Sequence, residues 1–185
     1  MTDTELFTLI RLTLIENLSV WPFDASLGPI TVQQKQQPVK QGIPTAATVY
    51  LEKLFHNPHG SSRVYYDVSP EPNMIEENEG QVYTATFQVS AFVIQKPENP
   101  ALPTASELAD AARVGLQRHT TIRKFAAEGV GLLRVSMVGN PYFSDDRDRQ
   151  EATPSFDLVV TYVRTAPPAT IDRIIRVDSL IVQVP

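Results

Sequence analysis

Six charged residues of both signs lie between Asp145 and Glu151: Asp145, Asp146, Arg147, Asp148, Arg149 and Glu151. Closely spaced carboxylates are the raw material of two chemistries. The first is acid–base or hydrolytic catalysis, which needs one carboxyl desolvated in a cleft so that the pair titrates apart. The second is calcium binding, which needs oxygen ligands at alternate positions and a glycine at the sharp turn. Arg147 and Arg149 stand where those further ligands or the glycine belong, and they neutralise the carboxylates instead. A loop of this composition is read as solvated, or as pairing acid against base with a copy of itself in a neighbouring subunit.

The remaining candidates for chemistry are few. His56 and His59 flank Asn57-Pro58, and no local carboxylate supplies the third ligand that a metal site would need. Turn chemistry explains Asn-Pro and His-Gly without a metal. His119 sits near a helix end, where a cation is favoured by the carbonyl terminus. Ser136, Ser144 and Ser155 lack the strand–turn–helix setting of a nucleophilic serine. Gly129 and Gly131 form only a short GxG that follows a helix, whereas a dinucleotide loop follows a strand. With no cysteine, thiolate metal sites and disulfides are excluded. No catalytic residue, cofactor or metal is therefore expected. Arg118, Arg123 and Lys124 cluster at the end of a helical region. They are read as an exposed face complementing the helix dipole, or as an interface that meets the acidic loop of a neighbour.

The elements that position these residues follow from periodicity and caps. Thr2 and Glu5 have capping-box spacing, and Leu6, Phe7, Ile10, Leu14 and Ile15 repeat at helical intervals. A short strand is expected over 30–33. Residues 46–55 read as a strand, 56–60 as a turn and 63–66 as the return, which makes a hairpin at about 46–66 projecting from the body. His56, Asn57, His59 and Arg63 would lie at its tip, placed for contact with an adjoining assembly component. Over 81–94, Tyr83, Ala85, Phe87, Val89, Ala91 and Val93 alternate with Thr84, Thr86, Gln88 and Ser90. That is a strand with one buried and one wetted face. Thr104 and Glu107 open a second helix with small residues on its packing face, and a further helical piece over 121–127 stops at Gly129. Strands over 130–138 and 156–164 then pair across the charged loop. Residues 174–184 form a last strand beyond Pro167-Pro168, which either closes its own sheet or adds to the sheet of another subunit. The fold class is α+β: an antiparallel sheet with helices packed on one face, a projecting hairpin and a C-terminal strand arm. The division expected is a domain over 1–166 and an extension over 167–185.

Composition narrows the function class. With 15 prolines against 8 glycines, stiff loops are favoured over a helical bundle. Lys and Arg number 16 against 21 Asp and Glu, a net charge of −5, which opposes capture of nucleic acid but tolerates its passage. Basic residues with interleaved aromatics are lacking, so sequence-specific nucleic-acid reading is not expected. The start of the chain carries Asp3, Glu5, Arg11 and Glu16 and lacks the basic region of a signal peptide. No run approaches the ~20 apolar residues of a membrane span. A soluble protein made in the cytoplasm, with no membrane partner, is expected.

The element order, together with the segment from Gly139-Asn140-Pro141-Tyr142-Phe143-Ser144-Asp145-Asp146-Arg147-Asp148-Arg149 to Ala152-Thr153-Pro154-Ser155-Phe156-Asp157-Leu158, resembles the tail terminator (neck) family of long-tailed bacteriophages. The resemblance implies a structural virion protein and not an enzyme. It implies a homo-oligomeric ring, a hexamer, that caps the tail tube and meets the head-completion proteins of the neck. In contractile tails such a ring also contacts the sheath protein, and DNA passes through its lumen. Asp145, Asp146, Arg147, Asp148 and Arg149 would then lie at a subunit boundary with Arg118, Arg123 and Lys124. The extra strand over 174–184 departs from the family pattern, and another neck or gateway ring of similar fold is the alternative. A peptide-binding adaptor and a small hydrolase using Asp145, Asp146 or Asp148 are the readings from other classes.

Overall fold

The computed structural model describes residues 1–23, 27–35, 46–68, 74–95, 98–99, 101–140, 142–144, 150–167 and 169–172. Helix α1 spans Asp3–Ser19 and opens on a complete capping box. Thr2 accepts from the Glu5 amide, and the Glu5 carboxylate accepts from the Thr2 amide. Strand β1 (Thr31–Gln34) lies parallel to β2 (Thr48–Val68), and β2 pairs antiparallel with β3 (Met74–Phe92). Helix α2 (Ala105–Gln117) repeats the capping box with Thr104 and Glu107. Helix α3 (His119–Ala127) ends at Gly129, whose φ of +72° suits the left-handed position just beyond a helix. Strand β4 (Val130–Val135) follows, then the short ribbon β5 (Tyr142–Ser144) and β6 (Gln150–Ala152). Strand β7 (Ser155–Thr165) pairs with β3 and β4, and β8 (Ala169–Asp172) pairs with the far end of β3.

The main sheet runs in the order β1-β2-β3-β7-β4, with β8 continuing beside β3 beyond the end of β7. The pairing is antiparallel except for β1, and the α+β class expected from the sequence holds. One face is apolar: Val49 and Leu51 on β2, Ala85, Phe87, Val89 and Ala91 on β3, and Phe156, Leu158, Val160 and Tyr162 on β7 are all buried. They form one core with Leu6, Ile10 and Leu14 of α1, Leu108, Ala112 and Leu116 of α2, and Phe125 of α3. The other face carries the half-buried Thr84, Thr86 and Gln88, so the period-2 pattern of β3 is realised from Thr84 to Val89, whereas Ser90, expected on the wetted face, is buried.

The hairpin expected at about 46–66 is not found, and the strand expected from 81 begins at Met74. Residues 56–60 are not a turn, and 63–66 are not a returning strand. Strand β2 runs through both as one element of 21 residues, and its return is β3. The locally turn-like residues are accommodated as irregularities of a single strand. The register slips between Lys53 and Phe55 and again between His59 and Arg63, where Gly60 has a φ of +72°. Pro58 is tolerated because no other strand borders β2 there among the described residues. Residues 174–184 lie outside the described residues.

The helices are locked to one another by a buried polar chain. Asn17 of α1 donates to Thr121 of α3 at 3.0 Å, and Thr121 donates to the Gly115 carbonyl of α2 at 2.9 Å. Gly115 makes room for this: a Cβ there would lie 2.9 Å from the Asn17 Cβ. Valine at this site recovers only a few tenths of a kcal/mol of helix propensity, against an overpacking cost of about 2–3 kcal/mol. Gly115→Val is therefore expected to lower unfolding stability by about 2 kcal/mol in urea titrations. Asn17→Ala is expected to cost about 1–3 kcal/mol, because it strips the buried Thr121 hydroxyl of a partner.

Candidate assembly interface

Three features could meet another protein: a long two-stranded arm, the ribbon that carries the charged loop, and the basic residues around α3. The arm is the outer part of β2 and β3. Burial on β2 ends at Leu51, and residues 57–67 are all exposed. At ~3.3 Å per residue, β2 extends about 70 Å, far beyond the helices that cover its first turn-lengths. Leu54, Phe55, Val64, Tyr65 and Tyr66 are exposed apolar side chains along it. The acidic residues Asp67, Glu76, Glu77 and Glu79 lie toward its end, with Arg63 among them.

The arm is tied to the body at its root by a compact polar cluster. Tyr162 of β7 is buried, and its hydroxyl lies 3.0 Å from Asp3 Oδ1 and 2.8 Å from His56 Nε2. The Asp3 carboxylate can only accept, so the phenol donates to it. His56 Nε2 must then carry a proton and donate to the phenol oxygen. Lys53 closes the cluster with an ion pair to Asp3 at 2.7 Å. The His56 ring stacks on Tyr83, with centroids 4.5 Å apart. Thus the first turn of α1, the middle of β2, β3 and β7 are joined at one point.

Electrostatics agree with this geometry. The hydrogen bond from Lys53 holds the Asp3 carboxyl below its usual range, against the effect of burial. Burial and then the Asp3 carboxylate push the Tyr162 phenol well above the ordinary value, so it stays protonated. Burial, and then the Lys53 ammonium, push the His56 imidazole down against the pull of Asp3.

The residues expected to meet partners are placed as follows. His56 is turned into the root of the arm, while Asn57, His59 and Arg63 are exposed further along β2. Asp145, Asp146, Arg147, Asp148 and Arg149 lie outside the described residues. The flanking β5 and β6 pair with each other, Ser144 opposite Gln150. Arg118, Arg123 and Lys124 are all exposed, but two are drawn to their own chain. Arg118 sits 5.6 Å over the Trp21 ring, and Lys124 pairs with Glu16. Sequence reasoning missed Asp3, Lys53 and Tyr162 as a unit. Tyr83 and Tyr162 both sit on core-facing positions of alternating strands, but only the register that pairs them brings His56 alongside.

No constellation of catalytic geometry accompanies these surfaces among the described residues. A groove between the exit of α1 and the start of α2 is lined by Trp21, Phe23, Pro103, Glu107 and Asp110. Its carboxylates are committed, Glu107 to the α2 cap and Asp110 to Arg113 at 2.8 Å. No group of three or more potential metal ligands occurs among the described residues. No helix is long and apolar enough to cross a membrane.

Comparison with known proteins supplies the family. The family model described as E217 gateway protein gp29 matches residues 5–171, which covers α2 and α3, all but the first two residues of α1, and nearly all of the sheet. No curated protein matches the chain. The chain belongs to this family of phage head–tail gateway, or neck, proteins. The neck resemblance read from the residues therefore stands, and the family description names a gateway protein.

The root of the arm makes a pH-dependent contribution to stability. A histidine whose folded pKa is depressed favours unfolding once the unfolded chain binds the proton more readily. The contribution of neutral His56 is complete above its ordinary pKa of about 6.5 and is lost as pH falls from there toward the lower folded value. The thermal midpoint is expected to drop between about pH 7.5 and about pH 5.5, and more steeply than in His56→Gln, which keeps a donor to Tyr162. Tyr162→Phe is expected to cost about 1–2 kcal/mol, read by the same melts.

Proposed function

We propose that this protein is a structural component of the virion neck, forming a closed ring at the junction between head and tail. The observation that carries this reading is the gateway family match over residues 5–171. The role follows as that of a head–tail connector, structural and not catalytic, housed in the virion. The finer picture is a homo-hexameric ring assembled in the host cytoplasm, with DNA passing through its lumen. One side faces the head-completion protein, and the other faces the tail tube and, in a contractile tail, the sheath. A net charge of −5 suits a channel that must release DNA.

The shape of the chain supports the same reading. A head-to-tail interface closes into a ring only if two different surfaces of one subunit fit each other. The ribbon β5–β6 that flanks residues 145–149 and the exposed basic residues around α3 supply two such surfaces. In this reading Asp145, Asp146, Arg147, Asp148 and Arg149 pair with Arg118, Arg123 and Lys124 of a neighbour. Asn57, His59 and Arg63 face an adjoining ring, with His56 anchoring the arm that presents them. Termination of the tail tube is a second reading, favoured by the resemblance of the segment over 139–158 to that family. Gateway and terminator differ in the rings above and below, which virion images distinguish.

Loss of the protein from a producing phage is expected to leave filled heads and finished tails unjoined in electron micrographs. Joined, infectious particles in its absence would overturn the proposal. Light scattering of the purified chain is expected to give the mass of a closed oligomer. Replacing Asp145, Asp146 and Asp148 by Asn is expected to weaken self-association about tenfold, since exposed ion pairs contribute up to about 1 kcal/mol each, with no change in melting of the monomer.

A further inference from the structure

We infer that residues 173–185 of one subunit add as a strand to the outer edge of β2, at Arg63–Val68, on the arm of the next subunit. The inference rests on the self-assembly reading above. Its first support is the state of that edge. Strand β1 covers β2 only as far as Leu51, and beyond it no strand borders β2 on this side among the described residues. The proximal part of the edge is blunted. Pro58 lacks an amide hydrogen, Gly60 is left-handed, and the register slips between His59 and Arg63. From Arg63 to Val68 the pairing with β3 is regular, and Val64, Tyr65 and Tyr66 are exposed. A bare, regular, apolar strand edge is an open template for another strand.

The second support is the course of the chain. Strand β8 runs antiparallel to β3, from Ala169 opposite Glu77 to Asp172 opposite Met74. It therefore heads toward the tip of the arm, and the chain leaves it there. Reaching the outer edge of its own β2 would require a reversal around the tip and a crossing of three strand spacings, about 14 Å. The residues available for that reversal are Arg173-Ile174-Ile175-Arg176-Val177, without glycine, asparagine or proline. β-branched residues of this kind favour an extended strand over a tight turn. Continued past the tip, the thirteen residues span up to about 43 Å, enough to reach a neighbouring arm.

Charge gives the third support. The arm presents Asp67, Glu76, Glu77 and Glu79 against Arg63, whereas the segment carries Arg173 and Arg176 against Asp178. The apolar residues Ile175, Val177, Leu180, Ile181, Val182 and Val184 match the exposed Val64, Tyr65 and Tyr66. Main-chain hydrogen bonds would provide the attachment, and these side chains the register.

The absence of cysteine makes a clean test possible in the full-length protein. Ser179→Cys is mixed with Val64→Cys, Tyr65→Cys or Tyr66→Cys protein, each variant carrying one cysteine, and oxidised. A disulfide-linked mixed dimer is expected for at least one pair, exceeding each variant oxidised alone. Deletion of 173–185 is expected to reduce self-association at least tenfold in light scattering while the melting of the monomer is kept. A full-length protein that associates but gives no mixed dimer and survives the deletion overturns the inference and leaves the ring reading standing. A linkage formed only within one chain, in a protein carrying both cysteines, places the strand at home and overturns it too. Dominant Tyr65→Cys self-linkage would show arm-to-arm pairing instead. A chain that neither associates nor cross-links overturns both readings.

Discussion

The structure depends on a mismatch of length. Strands β2 and β3 have 21 and 19 residues, whereas the longest helix has 17. At ~1.5 Å per residue that helix covers about 25 Å, roughly a third of the reach of β2. Helices can therefore bury only the first part of the hairpin. Among the described residues, what lies beyond has backbone partners only within the sheet and no helix above it. A two-stranded ribbon alone is marginal in water, so the arm needs support at its root.

Support at the root comes from a few well-placed polar groups. Tyr162 is buried, yet its hydroxyl serves both Asp3 and His56, so the change from apolar core to wetted arm occurs without leaving that hydroxyl unpaired. Lys53 neutralises Asp3 at the same point. Because the cluster links α1 with β2 and β7, bending of the arm is resisted by the whole body and not by the hairpin alone. Further out, β8 adds a third strand beside Met74–Glu77, which widens the ribbon where the helices no longer reach. Among the described residues, no strand lies beside the opposite edge there.

Local chemistry was legible in the sequence, and pairing at a distance was not. Both capping boxes, the helix stop at Gly129 and the alternation of β3 from Thr84 to Val89 depend on residues within a few positions of each other, and all follow from the sequence. The partnership of β4 and β7 was also anticipated. Residues 56–60 were misread because Asn-Pro and His-Gly serve equally in a turn and in an irregular edge strand. Only the presence of β3 alongside decides between them. Asp3, Lys53 and Tyr162 are separated by most of the chain, and no pattern in their neighbourhoods announces that they meet.

The arm also behaves as a ruler. In an antiparallel ribbon, two residues added to each strand lengthen it by about 7 Å and keep every side chain on its original face. One residue added to a single strand reverses the faces beyond it, as the slip at Leu54 already does once. The reach of the arm can thus be lengthened or shortened in fixed increments while the helical body is left untouched.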